Sequence, residues 1–369
     1  MKIGILTHYA VNNLGAQLQM YALYNTLLEL GHQPTILTYN KNYDFECTQK
    51  LRNEVGMKSI PYFLREFLLK KGIAQTWHNV RKYVTNRKFR SKNFSFSFYT
   101  KSPIDAVIVG SDEVFSLQVG VNMVMYSHGV LTNNCIAYAP SFGETDMQRI
   151  KSYRVEALIS SGLKQFCSLS ARDEHTRELI TQLSGISPAL VCDPVVLFDF
   201  NKTHTTATKI RQKYMAIYSY DRNMVDPEEI RAIQAFAKAK GYLTLSVGNY
   251  HKWCDKNIVC NCLEWLEYMR GAECVITDTF HGAVVSIILH KEVAVMIREI
   301  NRNKLASLMH DMCTESRLIS ELSVAELARV FSSRTDFISI EKALNEIRQK
   351  SRDYLLSALD KCQQEQNNG

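Results

Sequence analysis

Short apolar runs recur along the chain, and the gaps between them leave room for a helix each time. Lys2–Leu6 is the first such run. A polar loop with Asn12 and Asn13 follows, and Gly15–Leu30 then carries Leu18, Tyr21, Ala22, Leu27 and Leu28 at helical spacing, with Gly31 as the stop. Thr35–Thr38 is apolar again. The rhythm predicts strands at 106–109, 135–139, 189–192, 215–218, 243–247, 274–277 and 293–296, and a new series opening at 166–169. It predicts helices at 147–161, 227–240, 264–270, 281–289 and 305–312. Strand alternating with helix demands a parallel sheet with right-handed crossovers. The expected fold is therefore α/β: two Rossmann-like doubly wound domains, with a cleft between them and a long charged helix at the C-terminal end. The domains are expected at 1–164, with a helical insertion at 59–93, and at 165–338; the helix and tail occupy 339–369.

The chain has 369 residues, enough for two such units. With 46% hydrophobic and 22% charged residues it can build a large core without disulfides or a structural metal. The formal charge of +7 is a mild excess that suits an anionic small substrate or a membrane surface as well as it suits nucleic acid; no nucleic-acid partner is expected. The start, MKIGILTHYA, reads as a strand and a turn rather than a signal peptide, and no apolar run approaches a membrane span, so a cytoplasmic protein is expected. Most of the ten cysteines sit in apolar runs, as reduced core residues do. Cys260 and Cys262 form the one close pair. With no second pair nearby, a zinc site is not expected.

Ligands of doubly wound sheets bind at the carboxyl ends of the strands, and several such ends carry chemistry. Asp278, Thr279, Phe280, His281 and Gly282 separate an apolar strand from an apolar helix. Thr279 can cap that helix, whose exposed amides favour an anion. His281 suits proton transfer or phosphate binding, and Gly282 would let a ligand approach the backbone. A capped helix with a buried, hydrogen-bonded histidine is the alternative. Arg172, in SARDE, can grip a carboxylate or phosphate with two parallel bonds, unless it pairs with Glu174 on the surface. Ser111, Asp112 and Glu113 end the strand DAVIVG, either as a helix cap or as sugar ligands and a general base. Asn12, Asn13 and Gly15 suit sugar hydroxyls or anion oxygens, but the dinucleotide fingerprint is missing. Asp193 reads chiefly as structure, at the exit turn of a strand before Pro194, where it can cap a helix or hold a basic partner. Arg298, Arg302 and Lys304 crowd one strand exit, as an anion site or a solvated basic loop.

Taken in order, KIGILTHYAVNNLGAQLQMYAL, DAVIVGSDEVFS, IAYAPSFG, SLSARDEHT, CDPVVL and VITDTFHGAVVSIIL resemble the polysaccharide pyruvyl transferase family. Thr279 stands where the family more often has Ser. The resemblance implies a fold similar to two-domain GT-B glycosyltransferases. It implies transfer of a pyruvyl group from phosphoenolpyruvate to two hydroxyls of one sugar, forming a cyclic ketal and releasing phosphate. The sugar belongs to a cell-surface polysaccharide or its lipid-linked precursor. Arg172 and His281 match the family positions tied to the donor and to catalysis. Asp278, Thr279, Phe280, Gly282, Arg298, Arg302 and Lys304 would complete the donor side in the C-terminal domain. His8, Asn12, Asn13, Gly15, Ser111 and Asp112 would face the acceptor, with Asp112 or Glu113 taking the hydroxyl proton. Phosphoenolpyruvate is a co-substrate, and neither cofactor nor metal is expected. Two readings compete: a GT-B enzyme using a nucleotide sugar, for which Glu264 and Glu267 are the candidate ribose ligands, and a non-catalytic binder of anionic glycans.

The insertion Ser59–Asn93 has nine Lys or Arg and one acid. Phe63, Leu64, Phe67 and Leu68 form a helical stripe in it. A basic amphipathic helix reads as a membrane-surface element, which would place the protein peripherally at the inner face of the cell membrane. The alternative is an ordinary helix packed on the first domain.

Overall fold

The computed structural model describes residues 1–40, 70–101, 103–118, 122–203, 205–298 and 302–368. The first half runs β1 (Lys2–Leu6), α1 (Leu14–Glu29), β2 (Gln33–Thr38), α2 (Lys70–Asn93), β3 (Phe96–Phe98), β4 (Ala106–Val109), β5 (Cys135–Ala137), α3 (Met147–Ser152), α4 (Glu156–Leu163), β6 (Ser170–Ala171), α5 (Glu174–Ser184), β7 (Ala189–Leu190) and α6 (Pro194–Leu197). The second half runs β8 (Tyr214–Tyr218), α7 (Pro227–Lys240), β9 (Leu243–Val247), β10 (Lys256–Ile258), α8 (Cys262–Gly271), β11 (Cys274–Thr277), α9 (Phe280–Ile288), β12 (Val293–Met296), α10 (Arg302–Asp311), β13 (Leu318–Ile319), α11 (Val324–Ser332) and α12 (Phe337–Asn368).

Two large parallel sheets result, in the orders β3-β2-β1-β4-β5 and β10-β9-β8-β11-β12-β13, and β6 pairs with β7 in a third of two strands. Both large sheets are doubly wound. Each reverses direction beside its first strand, so the switch points lie between β1 and β4 and between β8 and β11. Strands β4, β8, β11 and β12 are buried along their whole length, which is why they read as unbroken apolar runs.

The core is arranged in three bodies. One covers the outer face of the first sheet, around Val107, Phe115 and Ile159. Another covers the outer face of the second, around Ile217, Phe236 and Leu327. The third lies between the sheets and joins Ile3, Ile5 and Leu18 to Tyr218, Val275 and Val284, with Leu355 and Leu359 of α12. Helix α1 runs through this shared body and is buried on nearly every side, as a helix apolar all round should be.

Two expectations change, and a third falls partly outside the described residues. The second unit was expected to open at residue 165. Instead Ser168 bridges to Ile136, and Phe166, Leu169, Ala171, Leu179 and Leu183 share the outer core of the first sheet. The helix expected over 147–161 is two helices, broken where Arg154 takes φ +56°. In the basic insertion, 59–69 lies outside the described residues, and with it the stripe Phe63, Leu64, Phe67 and Leu68; the helix described there is α2.

Candidate active site

The two switch points face each other. Asn13, in the loop after β1, donates from Nδ2 to the hydroxyl of Tyr220, in the loop after β8, at 3.3 Å. Desolvation pushes the Tyr220 hydroxyl up to about 12, with the carboxylates of Asp112 and Glu113 adding to it across the gap. Deeper in, Gly15 touches the ring of His281: a Cβ on Gly15 would lie 2.4 Å from its Cγ and Nδ1. Only a residue without a side chain allows the first turn of α1 and the first turn of α9 to meet this closely.

Arg172 and His281 converge on one carboxylate oxygen. Asp193 Oδ2 lies 3.2 Å from Arg172 Nη1 and 3.5 Å from His281 Nε2. Arg172 Nη1 also reaches Asp112 Oδ1 at 3.2 Å. The guanidinium lies 4.6 Å over the Phe280 ring, which meets the His281 ring edge-on at 5.3 Å. Arg172 is almost wholly buried, and its Nε and Nη2 have no protein partner. These two nitrogens form the side edge of the guanidinium, the pair that grips a carboxylate or phosphate bidentately. Buried donors left unpaired cost about 1–3 kcal/mol each, and this edge is open to an anionic partner.

Electrostatics bind the cluster together. Burial lowers the Arg172 pKa, but Asp112, Asp193, Asp173 and Glu113 outweigh it and hold the group above its usual value. Burial raises the Asp193 carboxyl, yet His281 and Arg172 pull it below its usual value. Its other oxygen accepts from the Val195 amide at 3.0 Å, so Asp193 also caps α6. Asp112 sits at φ +75°, a left-handed conformation that Asp tolerates better than most residues, and its carbonyl accepts from the Val114 and Ser141 amides.

Other candidates hold the loops in place. Thr279 caps α9, accepting from the Gly282 amide at 3.1 Å, as expected. Gly282 does not open the backbone to a ligand: a Cβ there would strike the Thr277 hydroxyl at 2.1 Å. Ser111 is fully buried and donates to Gln19 Oε1 at 2.6 Å, so it is no acceptor ligand. Asn13 spends its carbonyl capping α1, and Asn12 accepts from Asn86 of α2 at 2.6 Å. His8 Nε2 lies 3.2 Å from the Glu113 carbonyl. Asp278 is buried, accepts from Asn223 Nδ2 at 2.8 Å and lies 3.4 Å from Arg298 Nε. Arg298 is clasped by both oxygens of Glu229, at 2.6 and 2.9 Å, which answers its charge without a ligand. The side chains of Arg302 and Lys304 lie outside the described residues.

Arg172 was expected on the second domain; it follows β6, which pairs with β7 in a small sheet of its own packed into the outer core of the first sheet, and it does not pair with Glu174, which binds Arg177. Glu264 completes a capping box on α8 and Glu267 pairs with Arg270. Cys260 and Cys262 are buried in the shared core, and no group of three or more metal-ligating side chains occurs among the described residues. Asp193 does both things expected of a structural acid at its exit turn, capping a helix and holding a basic partner, and it also joins Arg172 to His281. Tyr220 and Asn223 across the gap were passed over, although their loop stands at a strand's carboxyl end.

The sequence model described as polysaccharide pyruvyl transferase matches residues 13–299, a span that holds Arg172, Asp193 and His281. The chain belongs to the polysaccharide pyruvyl transferase family. The family places this pyruvyl transferase among the transferases of polysaccharide biosynthesis. A comparison with curated proteins finds no similar sequence. Among solved structures, the transferase resembles Arabidopsis thaliana UGT89C1 complexed with UDP-L-rhamnose, with a TM-score of 0.53 and 9% identity over 98% of this chain and 99% of that one. The same protein complexed with quercetin gives 0.51 and 8% over the same shares. A UDP-glucosyltransferase from Polygonum tinctorium gives 0.48 and 9% over 98% of each chain. These neighbours are GT-B glycosyltransferases, and at such identities the likeness shows the fold alone. No helix among the described residues is long and apolar enough to cross a membrane.

Proposed function

We propose that the protein moves a pyruvyl group from phosphoenolpyruvate to two hydroxyls of one sugar, forming a cyclic ketal and releasing phosphate. The observation that carries this reading is the unpaired side edge of Arg172, held beside His281 by Asp193. Phosphoenolpyruvate offers a planar carboxylate for that edge and a phosphate for the imidazole and the amides at the start of α9. The donor is thus gripped from both sides of the gap, by Arg172 just after β6 and by His281 on α9.

The chemistry follows from charge. Protonation of the enol at C3 makes C2 cationic. A sugar hydroxyl attacks C2, the C2–O bond to phosphate breaks, and the second hydroxyl closes the ring. Of the two hydroxyl protons, one replaces the proton used at C3 and the other leaves with phosphate. His281 is placed to shuttle the first and to stabilise the departing phosphate. The carboxylates of Asp112, Glu113 and Asp193 stabilise positive charge at C2, and Asp112 or Glu113 takes a hydroxyl proton. Nothing in these steps requires a metal or a further cofactor.

The test is phosphate release from phosphoenolpyruvate with a panel of sugar acceptors, with mass spectrometry for the carboxyethylidene increment on the acceptor. His281→Ala and Arg172→Ala should each lose about 2–4 kcal/mol of transition-state stabilisation. Wild-type turnover in both variants, or sugar transfer from a nucleotide sugar in place of ketal formation, would end this reading.

A further inference from the structure

Helix α2 carries its polarity inside out. Ile73, Trp77, Val80 and Val84 recur at the spacing of one helical face and are 80%, 63%, 41% and 43% exposed. The opposite face holds His78, Lys82, Asn86 and Phe89, all buried. Lys82 Nζ donates to Asn249 Oδ1 at 2.6 Å, in the loop after β9, and Asn86 donates to Asn12, in the loop after β1. The polar face is therefore fastened to both sheets, and rotating the helix to hide its apolar row would break both bonds.

What flanks the row chooses its partner. Residues 70–93 contain eight Lys or Arg and no acid. Arg81, Arg87, Lys88 and Lys92 are exposed along the edges of the stripe, and Tyr83 lies half out of the surface beside it. A second copy meeting the same patch face to face would set like charges against each other. An anionic bilayer accepts both parts of the pattern: acyl chains take the apolar side chains, headgroups the cations, and Trp and Tyr suit the boundary.

We propose that the outward face of α2 is a docking surface for an anionic lipid bilayer, with Ile73, Trp77, Val80 and Val84 inserted and Arg81, Arg87, Lys88 and Lys92 on the headgroups. The proposal stands on the helix and not on the reaction. If both hold, the loops beneath α2 bring the candidate site to the membrane surface, where a lipid-linked acceptor would present its sugar.

The experiment is co-sedimentation of the full chain with phosphatidylcholine vesicles, with and without phosphatidylglycerol. Binding is expected only to the anionic vesicles, and it should weaken with salt. Trp77→Gln combined with Val80→Gln should weaken it by at least about 10-fold, and Arg87→Glu with Lys88→Glu by roughly fivefold or more for each charge lost. All four positions are exposed, so the melting temperature should not move. Wild type that stays in the supernatant with anionic vesicles would overturn the proposal, as would an apolar variant that still pellets. So would light scattering in which Trp77→Gln turns a dimer into a monomer, since that assigns the stripe to a second copy.

Discussion

Asp193 is the residue on which the cluster turns, because one of its oxygens meets both Arg172 and His281 while the other caps a helix. Asp193→Asn keeps the shape and the cap but removes the charge, leaving Arg172 with Asp112 alone. Loss of one partner from a buried pair costs about 3–5 kcal/mol; chemical denaturation at neutral pH should show a loss approaching the lower end, and turnover should fall with it. The acid limb gives a second reading. Asp193 has a folded pKa below its unfolded one, so its stabilisation is present above the unfolded pKa and is lost as pH falls through the folded value. Asp278 runs the other way. Burial raises its pKa more than the neighbouring Ser219, Asn223 and Arg298 lower it, so acidification through its folded pKa relieves a penalty. Denaturation from neutral to acid pH should therefore show Asp193→Asn flattening the stability loss and Asp278→Asn steepening it; the same acid limb in both variants would contradict these assignments. Arg172 and His281 were legible as site residues, whereas Asp193, an acid before Pro, read chiefly as an exit turn or cap, with a basic partner as its second reading. The sequence also made ligands of Ser111 and Gly15. Their true partners, Gln19 and His281, stand far away in the chain, and nothing local to a Gly or Ser reports that distance.

Helix α9 shows how an element aims a side chain. Thr277 donates to the Tyr218 carbonyl at the strand end, its hydroxyl meets Thr279, and Thr279 accepts from the Gly282 amide. This chain of short bonds fixes the first turn, and His281 rides on it. Thr279→Ala removes the cap and should cost about 1 kcal/mol together with several-fold in turnover, while Thr279→Ser should restore both. An alanine variant with wild-type stability and rate would mean that the cap does not position His281. Elements of this kind were legible from the chain. The strands at 106–109, 243–247, 274–277 and 293–296 stand where their runs predicted, since a strand buried on both faces reads as a mostly apolar run with few charged residues to blur its ends. Strands β3, β10 and β13 were missed. They are two or three residues long and hold their places through pairing at or near the sheet margins, which leaves no periodicity to read. The break at Arg154 was equally silent, because Tyr153 and Arg154 suit a helix as well as they suit its end.

At the scale of the whole molecule, the two sheets share a core and the last helix ties them together. Helix α12 returns from the second sheet to the first: Arg348 Nε donates to the Val196 carbonyl, Ser351 Oγ accepts from the Cys192 amide, and Tyr354 donates to the Ala137 carbonyl. The segment bearing Asp193 is thus braced from behind by a helix more than 150 residues away, so the geometry of the site depends on the end of the chain. The contact can be tested covalently. Cys167 and Cys362 lie with their sulfurs 3.3 Å apart, 195 residues separated in sequence, and a hydrogen bond from Cys362 lowers the Cys167 thiol pKa. Diamide should oxidise the pair to a disulfide, each thiol giving up one electron and one proton as the diazene is reduced to the hydrazine. Peptide mapping should then find one 167–362 cross-link. Closing so long a loop stabilises by at most about 5 kcal/mol, so the melting temperature should rise in the oxidised protein and fall back with dithiothreitol. Cys362→Ser should abolish both effects. The brace across the first sheet would be wrong if wild type and Cys362→Ser gave the same map, or if oxidation joined Cys167 to another cysteine instead.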